Sequence, residues 1–256
     1  MFAGPPWKAV PTMVDPGASA PPSRASEWFV PRFGPPRFRI FVGLLFLPYT
    51  GMVLAFSVIG SLLAASVSYE RMLAIVVVYF FGLGIAAHAL DALGSKGTKP
   101  WGTVFTRRQL WSIAIVALAV AYGMAIYYML RYVPALWVVA ILEGFFVFAY
   151  NLEWFSGRFH TDAWFAVSWG ALPVLAGYVM QTNSLSVPAL VVALSMALFA
   201  TIEIKASRPY KELKRRGSQL GGEDQVLLKR YETLLKCVSL GVLLLGLGLL
   251  LARVVA

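Results

Sequence analysis

The segment Ala87-His88-Ala89-Leu90-Asp91-Ala92-Leu93-Gly94-Ser95-Lys96 sets an imidazole and a carboxylate three residues apart. That spacing puts both groups on one face of a helix. The segment closes an apolar run that begins near Met72. Ionisable groups at the end of such a run need water, a partner or a ligand. The Asp91 oxygens suit Mg²⁺, which takes one or two carboxylates and completes its shell with water and phosphate oxygens. The His88 imidazole suits a softer divalent metal, a proton transfer or a simple hydrogen bond. The plainer alternative is a helix end in which Asp91 pairs with Lys96 or Lys99.

A second group is Glu203-Ile204-Lys205-Ala206-Ser207-Arg208, one acid and two bases at the end of another apolar run. With Lys211, Lys214, Arg215 and Arg216 it can grip a diphosphate, because guanidinium forks match phosphate oxygens. For residues 211–216 anchoring on anionic lipid heads is the stronger reading. Tyr150-Asn151-Leu152-Glu153 closes a third run, and His160-Thr161-Asp162 opens the next, with Asp162 expected to cap its helix. Glu143 lies about 15 Å inside the third run at roughly 1.5 Å per residue, a depth at which a carboxyl is protonated, paired or faces a cavity. A hydrogen bond to a neighbouring helix and a proton-transfer role suit it equally. Trp164, Trp169 and Phe145-Phe146-Val147-Phe148 either line an apolar tunnel or simply pack, and packing is the commoner use. Gly170, Pro173 and Gly177 are small or kinking positions that let helices approach closely. Phosphate-cradling glycine loops and a Ser or Cys nucleophile elbow are missing.

The elements that must position these groups are membrane helices. The chain has 256 residues, 59% hydrophobic and 13% charged, with a mean hydropathy of +0.72. Soluble domains carry about 25% charged residues. Runs of roughly 20 apolar residues, enough to cross a bilayer as helix, recur, and the alternation of a barrel does not. The expected fold is an all-α polytopic transmembrane bundle with about seven spans: 40–65, 72–93, 109–130, 133–153, 163–181, 186–206 and 234–255. Residues 38–256 form this helical domain. Residues 1–37 hold nine of the fifteen prolines, lack the apolar core of a secretory signal and read as a disordered cytoplasmic tail. Trp28, Phe29 and Phe33 can rest there at the lipid interface. The tail and the loops after spans two, four and six, counted with Arg39, Lys205 and Lys236 at their edges, carry 5, 4, 1 and 9 of the 22 Lys and Arg residues. Arg71, Arg131 and Arg253 fall on the other side. The positive-inside rule then puts the N-terminus in the cytoplasm and the C-terminus opposite. The formal charge of +10 follows this topology and gives little support to nucleic-acid binding. The lone Cys237 rules out a disulfide within the chain. Three even-numbered spans therefore bring His88 and Asp91, Tyr150, and Glu203 to one mouth of the bundle, as helix bundles build ligand sites.

This layout resembles the UbiA-type intramembrane prenyltransferase superfamily over residues 38–210. That family has an acidic motif after the second span, a Tyr motif after the fourth and a second acidic motif after the sixth. Its first motif, Asn-Asp-x-x-Asp-x-x-x-Asp, falls here on Ala87-His88-x-x-Asp91-x-x-x-Ser95, which keeps the middle acid alone. Its Tyr-x-x-x-Lys-Arg motif matches at Tyr150 but has Trp154-Phe155 for the basic pair. Glu203, Lys205 and Arg208 stand near the place of its Asp-x-x-x-Asp. The family commonly has nine spans. The resemblance implies transfer of an isoprenoid or related lipid group from a diphosphate to a hydrophobic acceptor, with Mg²⁺ or another divalent ion. Asp91, His88 and Tyr150 would then be catalytic. Asp91 and Glu203 would hold metal, and Lys205, Arg208, Asn151 and Lys96 would bind the isoprenyl diphosphate. The depleted acids leave a second expectation, a UbiA-like membrane protein that binds or transports lipid without catalysis. A structural subunit of a membrane complex is a third, and it predicts no polar cavity.

Overall fold

The computed structural model describes residues 27–94, 104–217 and 220–255. All regular structure among them is helical. The elements are α1 (Pro36–Leu44), α2 (Leu47–Leu62), α3 (Tyr69–Gly94), α4 (Arg107–Arg131), α5 (Leu136–Asn151), α6 (Asp162–Thr182), α7 (Val187–Arg216) and α8 (Gly222–Val255). Helix starts follow local chemistry. Ser68 accepts from the Arg71 amide, Ser186 from that of Ala189, and Thr106 with Gln109 closes a reciprocal capping box.

Five helices are long and apolar enough to cross a membrane: α3, α4, α6, α7 and α8. The pair α1 and α2, bent by 46°, makes a sixth if it is counted as one span. The protein is thus an integral membrane helix bundle, with five or six long spans in place of the seven expected. The difference lies at 133–153, where α5 has 16 residues. At about 1.5 Å each it is roughly 24 Å long, short of a hydrocarbon core of about 30 Å. The last part of the tail expected over 1–37 is packed or helical instead. Val30 and Glu27 are buried, Phe29 packs on Phe46 at 5.2 Å, and α1 starts at Pro36. The remainder of that tail, 1–26, lies outside the described residues.

The tightest packing joins α2 to α6 through small residues. A Cβ on Gly177 would stand 2.9 Å from the Ser57 carbonyl carbon, and one on Gly60 2.9 Å from the Val174 Cα. Ser61 Oγ, so close to α6, donates to the Gly177 carbonyl at 3.2 Å. This bears out Gly177 as a position of close approach, and Gly170 meets the backbone of Ala197 on α7 in the same way. Gly94, the last residue of α3, lies against the backbone of Asn151 and Leu152 at the end of α5. That contact joins two of the helices carrying candidate site residues at one end of the bundle, termed here the near end. At the far end, Ala135 donates to Asn183 Oδ1 at 2.9 Å, Ser68 pairs with Gln181, and Arg253 donates to the carbonyls of Ala64 and Ala65.

Two helices contain π-helical turns, Phe80–Ala87 in α3 and Val167–Ala171 in α6. Such turns widen the helix and shift the facing of every residue beyond them. The first ends at His88 and the second contains Trp169, and these two rings meet at 5.1 Å.

Candidate functional site

At the near end Tyr150 is the meeting point of four helices. It ends α5, and the Arg208 guanidinium of α7 is within electrostatic reach of its hydroxyl. The carboxylates of Asp91 on α3 and Asp162 on α6 are within electrostatic reach of it. Its ring stacks on His160 at 4.4 Å, and His160 Nδ1 lies 3.0 Å from the Tyr150 carbonyl oxygen. A left-handed turn brings His160 back, with positive φ at Glu153, Phe155, Ser156 and Gly157. Asp162 pairs with Arg208 at 2.8 Å and with Lys205 at 3.7 Å. The helix cap expected of Asp162 belongs to its neighbour: Thr161 Oγ1 accepts from the Trp164 amide at 3.4 Å. Asp162 is left to neutralise the two bases.

Glu203 occupies a separate compartment. It is 1% exposed, and neither carboxyl oxygen has a hydrogen-bond partner among the described residues. The Lys211 ammonium is within electrostatic reach and lies over the rings of Phe46 and Tyr49 at 4.8 and 5.6 Å. Glu203 borders a void of about 10 Å³ walled by Tyr49, Phe56, Phe165 and Trp169. Phe165 contacts Tyr150 at 5.9 Å and Tyr49 at 5.7 Å, and stacks on Trp169. An aromatic layer therefore stands between the Tyr150 cluster and Glu203. The expected sharing of a metal by Asp91 and Glu203 meets this layer, and among the described residues no three His, Cys, Asp or Glu side chains gather as metal ligands.

His88 and Asp91 are both half-buried on one face of α3, as their spacing predicts. They serve different neighbourhoods: His88 meets Trp169 and Phe46, whereas Asp91 looks toward Tyr150. Asn151, expected to bind substrate, is 3% exposed and donates Nδ2 to the Val147 carbonyl at 2.8 Å. The close approach of Gly94 covers it, so it stabilises the helix end instead. Lys96, Ser95 and Lys99 lie outside the described residues. The aromatic run packs on itself: Phe145 meets Phe159, Phe146 meets Trp164 and Phe148 stacks on Trp154.

Three contributors leave little signal in the sequence itself. Phe46 adopts φ 43° at the break between α1 and α2, and its ring reaches Phe29, Tyr49, His88 and Lys211. Pro48 two residues on was the one hint of that break. Glu27 accepts from both Tyr210 at 2.9 Å and Lys214 at 2.7 Å, which fastens the segment before α1 to α7. Tyr79 donates to Glu143 Oε1 at 2.8 Å, so Glu143 does hydrogen-bond a neighbouring helix. A tyrosine among apolar residues gives no sign of such a partner.

Compared with protein-family models, curated proteins and solved structures, the chain matches none. The class of protein rests on its own architecture, a helical integral membrane protein with a mixed-charge cluster at one end.

Proposed function

We propose that this protein is a UbiA-like intramembrane transferase that moves an isoprenoid or related lipid group from a diphosphate to a hydrophobic acceptor. The observation that carries the reading is the Tyr150 hydroxyl, with Arg208 and Asp91 of two other helices within electrostatic reach and Arg208 held beside it by Asp162. Arg208 and Lys205 would bind the diphosphate in exchange for Asp162. Tyr150 would orient the leaving oxygen as the carbon–oxygen bond breaks and its electron pair departs with the diphosphate. Asp91 is the carboxylate suited to a Mg²⁺ ion, which when bound adds positive charge against the leaving group. Glu203, behind its aromatic layer, takes no part in that coordination. His88, packed on Trp169, would bound the lipid side of the site.

The proposed topology has seven passages. The bent pair counts as one, and α5 with its flanks joins the long helices, because it runs between the same two ends. The near end would be cytoplasmic with the N-terminus, and the C-terminus would lie opposite, following the Lys and Arg asymmetry.

Release of pyrophosphate from a panel of isoprenyl diphosphates tests the proposal, with and without Mg²⁺ or Mn²⁺ and with native lipid extract as acceptor. Turnover that Asp91→Asn nearly abolishes in a folded protein is the expected result. A second reading, lipid binding without catalysis, is favoured by the occupation of Lys205 and Arg208 by Asp162. Lipid retention with no pyrophosphate released across the panel would select it.

A further inference from the structure

Glu143 forms a second polar point, away from the near end. One of its oxygens accepts from Tyr79, and the other, Oε2, is buried with no hydrogen-bond partner among the described residues. Both residues line a half-open cavity of about 60 Å³ between α3, α4 and α5. The rest of its wall is apolar and includes Ile75, Leu118, Ala125 and Val139. Helices α4 and α5 share few contacts. Tyr122 of α4 is part of the cavity lining. Its hydroxyl donates to the Ala140 carbonyl at 3.2 Å and rests against Gly144, where any Cβ would collide with it.

A buried carboxyl oxygen without a partner is unfavourable by a few kcal/mol. A water molecule needs two to four polar partners, and here it would find only Glu143 Oε2 and the acceptor lone pairs of the Tyr79 and Tyr122 hydroxyls, which already donate to Glu143 Oε1 and the Ala140 carbonyl. We propose that the cavity receives the hydroxyl end of a long-chain lipid alcohol that enters from the bilayer between α4 and α5. The alcohol's hydroxyl donates to the unpartnered Oε2 of the Glu143 carboxylate, which an ether cannot do. The lining contains no Lys or Arg, and an anionic head beside Glu143 would be repelled. The void is smaller than the roughly 150 Å³ that admits a benzene ring. It therefore takes the head and first carbons of a chain, not a fused ring system, and leaves the tail in lipid along the exposed Ile141 and Leu142. This site does not depend on the reading of the near end.

The test uses the full chain in lipid nanodiscs and a diazirine-bearing geranylgeraniol analogue, with adducts mapped by mass spectrometry. Adducts are expected on α4 and α5 beside the cavity and should be suppressed by geranylgeraniol. Geranylgeranyl methyl ether and geranylgeranyl diphosphate should compete about tenfold less well, the scale of one buried hydrogen bond to a carboxyl. In Glu143→Leu the preference for alcohol over ether should vanish. Ala125→Leu, which fills the void from α4, should abolish the adduct while labelling of α8 by the same probe persists. Ala140→Leu does the same from α5 should the first variant fail to fold. Adducts spread over the lipid-facing surface, or equal competition by the ether in the unmodified protein, would each overturn the proposal.

Discussion

Asp162 shows how one carboxylate can hold a site in reserve. Its side chain is about a quarter exposed and those of its partners, Lys205 and Arg208, are more so. Exposed pairs of this kind contribute about 0–1 kcal/mol, so Asp162→Asn should leave thermal unfolding in detergent almost unchanged. The same change frees two bases beside Tyr150. Calorimetric titration with pyrophosphate should then show several-fold tighter binding, and an unchanged affinity would assign the bases to the bundle alone. Glu143 and Tyr79 behave in the opposite way because they are enclosed. Tyr79→Phe strands a carboxyl and should destabilise by about 1–3 kcal/mol. Adding Glu143→Met removes the stranded group, so the double variant should melt closer to the parent protein than the single one does. A double variant that melts lower than both single variants would refute this account.

The elements meet through residues with little or no side chain. Gly94 lets the end of α3 rest on the backbone of α5, and this sets Asp91 opposite Tyr150. Gly94→Ala should force the two ends apart, at an overpacking penalty of about 1–3 kcal/mol. It should also reduce pyrophosphate release more than an equally destabilising Gly177→Ala at the α2–α6 contact, which lies away from the cluster. Equal losses would mean that the Gly94 contact supports stability without positioning the site. The left-handed turn after α5 invites the reverse experiment. Ser156 holds φ 58°, a conformation unfavourable by about 1–2 kcal/mol for a residue with a Cβ. Ser156→Gly should therefore raise the melting temperature while His160 stays on Tyr150.

At the scale of the molecule, charge is distributed by end. Glu27, Asp162, Lys205, Arg208 and Lys214 gather where α3, α5 and α7 finish, whereas the far end has few charges, among them Arg253 and the Glu70–Tyr128 pair. Under the proposed orientation the near end faces the cytoplasm. In a Cys237→Ser background, Ser95→Cys and Asn183→Cys should react with a membrane-impermeant maleimide from opposite sides of sealed vesicles. Labelling of both from one side would refute the seven-passage scheme. The native Cys237 must be removed first because it is exposed.

Helical class and membrane placement were legible in the linear chain because they depend on composition and run length, and those need no neighbour. Close approach at Gly170 and Gly177 was legible for the same reason, since a missing side chain is visible wherever it falls. The spacing of His88 and Asp91 correctly put them on one face, a property of the helix alone. Their different neighbours, Trp169 and Phe46 for His88 and Tyr150 for Asp91, were decided by the packing of other helices around that face. The crossing angles and that packing also set Phe165 between Tyr150 and Glu203, gave Asp162 to Arg208 in place of a helix cap, and turned Asn151 inward. A carboxylate in a chain can be counted, but its partner is whatever the folded bundle brings within about 3 Å of it.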